Sequence, residues 1–154
     1  MEKKKPIKRH IALQPLSRQH HFGLLFSWKI RKGFQNNIEI GRMQEYAKWF
    51  YKHEITPHFH DEEKYVFPIL DKENELIERA LKEHRRIKRL FNDTKDPEKS
   101  LSKLEEELDA HIRFEERILF NEIQKFATEA QLAKIEEIHS DLKKTPDYHD
   151  PFWE

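Results

Sequence analysis

Two ten-residue stretches of the chain read alike. Residues 58–67 are His-Phe-His-Asp-Glu-Glu-Lys-Tyr-Val-Phe, and residues 111–120 are His-Ile-Arg-Phe-Glu-Glu-Arg-Ile-Leu-Phe. Both fit one frame: His, an apolar residue, two others, Glu-Glu, a base, two large apolar residues, Phe. On a helix, residues four apart sit one turn apart on one face. An imidazole nitrogen and a carboxylate oxygen so placed suit iron, manganese, zinc or copper. His58 with Glu62, and His111 with Glu115, are therefore candidate metal ligands. A lone pair at this spacing is common by chance, and its bland reading is an i,i+4 pair on a helix surface. The shared frame, on two different helices, favours the metal.

Two further stretches each offer a histidine. Ile77, Leu81, His84, Ile87 and Phe91 form a stripe at helical spacing. His84 in that stripe reads either as a hydrogen-bonded core histidine or as a ligand, and the paired motifs favour the ligand. On the first stretch the choice lies between His20 and His21. At about 100° per residue, Arg18, Lys29 and Lys32 gather on one side and Leu16, Gly23 and Phe34 on the other. His20 falls near the inner side and His21 nearer the polar one, so His20 is favoured and His21 is a flanking residue. Gly23 and Ser27 are small and would leave room beside His20. His60 points away from His58, and His53 stands about 140° from it. His10, His139 and His149 fall outside the four paired stretches.

These side chains need helices to bring them together, and the composition provides for helices. Charged residues make up 38% of the 154, and glycine occurs only three times, which favours helices over a sheet. Cysteine is absent, so disulfides, zinc–thiolate sites and iron–sulfur clusters are excluded. Lys+Arg and Asp+Glu balance at 29 each, which argues against a nucleic-acid partner. The basic start Met1–Pro6 reads as a solvated tail. No run approaches a membrane span and no signal-peptide core follows the start, so a cytoplasmic chain without a membrane partner is expected.

The expected order is a helix from about Ser17 to Lys32, with Ser17 as N-cap and Gly33 as stop. A long helix follows from about Ile38 to Leu70, kinked at Thr56-Pro57 and with Pro68 near its end. A third covers about Asn74–Phe91, and Asn92–Pro97 is turn chemistry. The fourth runs from about Glu98 to Phe126. Thr128, with Gln131 three residues on, opens a short extra helix to about Lys144. The tail 145–154 is extended, and Tyr148, Phe152 and Trp153 either clamp it to the bundle or leave it solvated. The fold expected is all-α, four helices with antiparallel neighbours in a bundle. It forms a single domain over 1–154, with a core of about 16–126 and an added helix and tail over about 128–154.

His20 or His21, His58-x-x-x-Glu62, His84 and His111-x-x-x-Glu115 together make the chain resemble the hemerythrin-like, or HHE cation-binding, family over about residues 10–126. The resemblance implies an up-down-up-down bundle around a non-heme di-iron centre. One iron would lie on His20 and His58 and the other on His84 and His111. Glu62 and Glu115 would bridge them, with an oxygen or hydroxide between. The chain departs from the oxygen-carrying hemerythrins, which have a second histidine one turn after the third-helix one, where Lys88 stands. They also carry an aspartate where this chain has Glu115. Water, Glu63, Glu116 or Tyr65 would fill the gap, Tyr65 because it lies seven residues past His58.

The cofactors expected are two iron ions, with manganese or zinc as alternatives. Dioxygen, peroxide or nitric oxide would bind at an open coordination position. A protein that binds or senses such ligands, or buffers iron, needs only the six donors. A di-iron oxidase or peroxidase would also need a substrate pocket and an electron source. A ferritin-like plan, with Glu-x-x-His on two helices, finds only Glu136-x-x-His139. A structural helical domain would bind no stoichiometric metal.

Overall fold

The computed structural model describes residues 8–139 and 145–154, and no strand occurs among them. Met1–Pro6, expected as a solvated tail, and residues 140–144, expected within the last helix, lie outside the described residues. Helix α1 (Gln14–Gln35) follows a 3-10 turn, Ile11–Leu13, in which His10 Nδ1 accepts from the Ala12 N–H. Pro15 stands in its first turn, where the missing N–H loses no hydrogen bond. Ser17 is therefore not the N-cap; it lies inside α1, and its hydroxyl donates to Glu116 at 3.1 Å. Gly33 is not the stop either. A Cβ there would sit 2.3 Å from Met43 Sδ, so this glycine lets two rods approach. Asn37, at φ 55°, reverses the chain instead.

The second rod stays helical from 40 to 69. It consists of α2 (Ile40–Phe50), a π-helical turn Tyr51–Ile55, α3 (Thr56–Asp61), a second π turn Glu62–Val66 and a 3-10 turn Phe67–Ile69. Pro57, in the first turn of α3, cannot donate and would crowd an ordinary preceding turn. The π turn absorbs this: the Thr56 N–H reaches back five residues to Tyr51 O. The third rod is α4 (Glu75–Asn92), capped by Asn74, whose side chain accepts from the Leu76 N–H. The fourth is α5 (Pro97–Phe114), capped by Asp96, which continues through a π turn Glu115–Leu119 into α6 (Phe120–Phe126). Helix α7 (Glu129–Ile138) opens on the expected Thr128–Gln131 capping box. It packs over Ile11–Leu13 and the turn Glu62–Val66.

Helix α5 packs against both α1 and α4, and two apolar clusters result. One holds Phe26, Met43, Phe50, Ile87, Leu104 and Leu108, among others. The second includes Leu16, Val66, Ile77, Phe120 and Ile123. Each rod contributes to both and passes from one to the other close to a histidine: α1 between Leu16 and Phe26, around His20; the second rod between Phe59 and Val66, just past His58; α4 between Ala80 and Ile87, around His84; the fourth between Ile112 and Phe114, just past His111. The tail clamps onto the first cluster. Phe152 is buried there, Arg42 pairs with Asp150 at 2.7 and 3.0 Å, and Lys29 Nζ lies 3.8 Å over the Trp153 ring. No helix of the described residues is long and apolar enough to cross a membrane.

Candidate metal centre

His20, His58, Glu62, His84, His111 and Glu115 are all buried in the layer between the two apolar clusters. They form two groups of donors, His20–His58–Glu62–Glu115 and Glu62–His84–His111–Glu115. Within each group the donor atoms lie within 4.8 Å of one another. Both glutamates belong to both groups, and their contacts show why. Glu62 Oε1 is 3.2 Å from His58 Nε2 and 3.2 Å from His84 Nε2, so it spans the two histidine pairs. Glu115 Oε1 spans them again, 3.2 Å from His20 Nε2 and 3.0 Å from His111 Nε2. A π turn begins at each of these glutamates, and such turns recur at functional sites.

The four imidazoles are held from behind. Nδ1 of His20 donates to Glu116 at 2.9 Å, of His58 to Gln19 at 2.5 Å, of His84 to Glu63 at 2.8 Å and of His111 to Glu83 at 2.7 Å. This fixes the ring orientation and leaves each Nε2 directed inward, the arrangement that metal-ligating histidines adopt. The inward atoms are short of partners: Nε2 of His58, His84 and His111, both Glu62 oxygens and Glu115 Oε2 are buried without a hydrogen bond. Each such atom costs about 1–3 kcal/mol. A cation would take up these lone pairs, so the donor set fits a nitrogen- and oxygen-bound metal pair.

The charges are arranged to the same end. Burial opposes ionisation of Glu62, but the His58 charge and contacts with His20, His58 and His84 hold it well below the usual carboxylate range. Burial likewise opposes charge on His111, yet Glu115 and Glu83 raise it to about 9. His20 and His84 are raised in the same way, His20 by Glu115, Glu116 and Glu62 and His84 by Glu62 and Glu63. Protons and a metal thus compete for the same inward lone pairs.

Of the residues expected near the site, His21 is exposed and lies outside both groups. Glu63 and Glu116 stand behind His84 and His20 rather than among the inward donors. Lys88, in the place of the absent histidine, lies 3.9 Å from Glu63. Tyr65 packs with the second apolar cluster instead of facing the donors. The π turn Glu62–Val66 shifts the phase of the helix, so residue i+7 leaves the face of His58. Gly23 lies against α5, where a Cβ would meet Ile112 Cδ1 at 2.5 Å. His10 caps a turn. His139 is buried, with Nδ1 bonded to Ile135 O. His53 and His60 are exposed.

Gln19 and Glu83, which bond His58 and His111, are not among the residues the sequence points to, nor is Glu54, which lines a small cleft with Gln19, His20, His58, His111 and Glu115. A signal existed. The second Glu of each Glu-Glu pair backs a histidine on another rod, and so does the residue just before His20 and His84.

The chain matches the profile of the Hemerythrin HHE cation binding domain over residues 19–100, just over half its length. That span carries His20, His58, Glu62 and His84, and ends before His111 and Glu115. No curated protein and no solved structure matches the chain.

Proposed function

Because the chain belongs to the hemerythrin HHE cation-binding family, we propose that it is a non-heme di-iron protein that binds or senses dioxygen or a related small ligand, or buffers iron. His20 and His58 would hold one ion and His84 and His111 the other, with Glu62 and Glu115 placed to serve both. The observation that carries this reading is the sharing of both glutamates between two groups of inward donors. The passage of successive rods between the two apolar clusters in alternating order, each close to its histidine, supports an up-down-up-down bundle over about 16–126, within a single domain. Iron is preferred over manganese or zinc because two carboxylates and four imidazoles suit both its ferrous and ferric states.

When bound, such a pair supplies a coordination position open to dioxygen, peroxide or nitric oxide. The chain's own residues do the rest. Glu116, Gln19, Glu63 and Glu83 orient the imidazoles, and Glu62 and Glu115 offset two of the cations' charges. Phe59, stacked on the His84 ring at 3.7 Å, and Phe120, 5.1 Å from His20, help exclude water. A second reading, a di-iron oxidase or peroxidase, draws on the cleft beside His20 and His58. A cleft this narrow suits peroxide rather than a large substrate.

Protein purified without air should contain two irons per chain and gain a visible absorption band on exposure to air. His58→Ala and His111→Ala should abolish the band. A chain with no stoichiometric metal after growth in iron would end this reading. Turnover of peroxide with an added reductant would favour the enzyme over the sensor.

A further inference from the structure

The four outer hydrogen bonds follow a two-fold pattern. On the first and third rods, the residue just before the histidine reaches to the next rod: Gln19 to His58, and Glu83 to His111. On the second and fourth rods, the residue just after the bridging glutamate reaches across: Glu63 to His84, and Glu116 to His20. The pattern breaks at one place only. Gln19 is a neutral amide where its counterpart Glu83 is a carboxylate.

The break is reinforced. The carboxylate behind His20, Glu116, is shared with the Arg9 guanidinium at 3.0 Å and the Ser17 hydroxyl at 3.1 Å. Arg9 is only 16% exposed, so its charge is poorly screened. The cations beside Glu83 and Glu63 are better screened by solvent: Arg79 bonds Glu83 at 2.9 Å but is 53% exposed, and Lys88 is 43% exposed and 3.9 Å from Glu63. A carboxylate behind an imidazole raises its basicity as a ligand, and losing one typically lowers metal affinity about 10–100-fold. Both histidines of the second pair have such support. The first pair has one neutral acceptor and one compensated carboxylate.

We infer that Gln19 makes the two metal positions unequal, so that the ion on His84 and His111 is bound first and held, while the ion on His20 and His58 binds more weakly and exchanges. The inference rests on the two-metal reading. Both histidines of the weaker position, with Gln19 and Glu54, line the cleft, whereas of the other pair only His111 does. Gln19 acts as a positioning residue: it touches His58 and sets how strongly that ring donates.

The test is a titration of metal-free protein with Co(II), without air, followed by the paramagnetic shifts of the four Nδ1–H resonances. One equivalent should shift those of His84 and His111 first, with a second step about 10–100-fold weaker. In Gln19→Glu, one equivalent should shift both pairs alike, and the gap between steps should narrow by about tenfold or more. In Gln19→Glu/Glu83→Gln the order should reverse, with His20 and His58 shifting first. Gln19→Leu adds no charge and should widen the gap. Far-UV circular dichroism of each metal-free variant checks that the helices persist. Fewer than two bound ions would overturn the two-metal reading and this inference with it. Two ions whose order and spacing ignore residue 19 would overturn the inference alone.

Discussion

In one apolar cluster Phe26 meets Phe50 with ring centroids 4.5 Å apart, and in the other Phe120 and Ile123 are fully buried. Between them six ionisable side chains are buried just as deeply. The same rods build both regions. At the ends, each large side chain removed from water contributes about 1.5–3 kcal/mol whatever else is bound. In the middle, unpartnered donors and carboxylates cost free energy until a cation takes them up. Stability and ligand binding are therefore separate matters at the ends and one matter in the middle.

The comparison breaks most visibly at Glu62, which faces three histidines. Glu62→Ala should weaken both metal positions by more than about 100-fold, beyond the range of an outer-side-chain change. Metal analysis after dialysis would check this, and a variant that keeps two ions would dissolve the distinction. Leu104→Ala, in the first apolar cluster, should do the reverse. It should cost about 2–5 kcal/mol in a urea unfolding curve and leave the metal content at two per chain.

pH sharpens the contrast. In metal-free protein the raised His20, His84 and His111 contribute stability that is full below their ordinary value of 6.5 and is lost as pH rises through their raised values, for His111 at about 9. The lowered Glu62 contributes above its ordinary value of 4.5 and is lost on acidification. Metal displaces the imidazole protons, so the gap in Tm between metal-loaded and metal-free protein should widen from pH 6.5 to 9. A constant gap would mean that the protons and the metal do not compete. The smallest effect is expected at Arg9. Arg9→Ala frees Glu116 from its cation, and should cost on the order of 1 kcal/mol of stability while tightening the His20 position slightly, which a titration would detect.

Much of this was legible in the sequence because helical periodicity translates spacing directly into faces. The repeated frame at His58 and His111 marks two helical stretches whose His and Glu side chains the structure buries together, and the 100° arithmetic puts His20, which is buried, rather than the exposed His21 on the inner face. Asn74, Asp96 and the Thr128–Gln131 box open their helices through local hydrogen bonds, and so stand close to where turn chemistry put them. The misses share a cause. At 3.6 residues per turn Tyr65 falls on the His58 face, and the π turn Glu62–Val66 breaks that period. Gly33 reads as a stop from its local sequence, whereas its lack of a side chain serves the contact with Met43, a demand from another rod. Gln19 and Glu83 act on histidines 39 and 28 residues away, and no local pattern encodes which rods become neighbours.

The central claim is that two ions sit in the polar layer. Anomalous diffraction at the iron edge, from crystals of iron-loaded protein, tests it directly. Two peaks are predicted, one beside Nε2 of His20 and His58 and one beside Nε2 of His84 and His111, each in contact with Glu62 and Glu115. No peak in this layer, or iron found only at the surface, would contradict it.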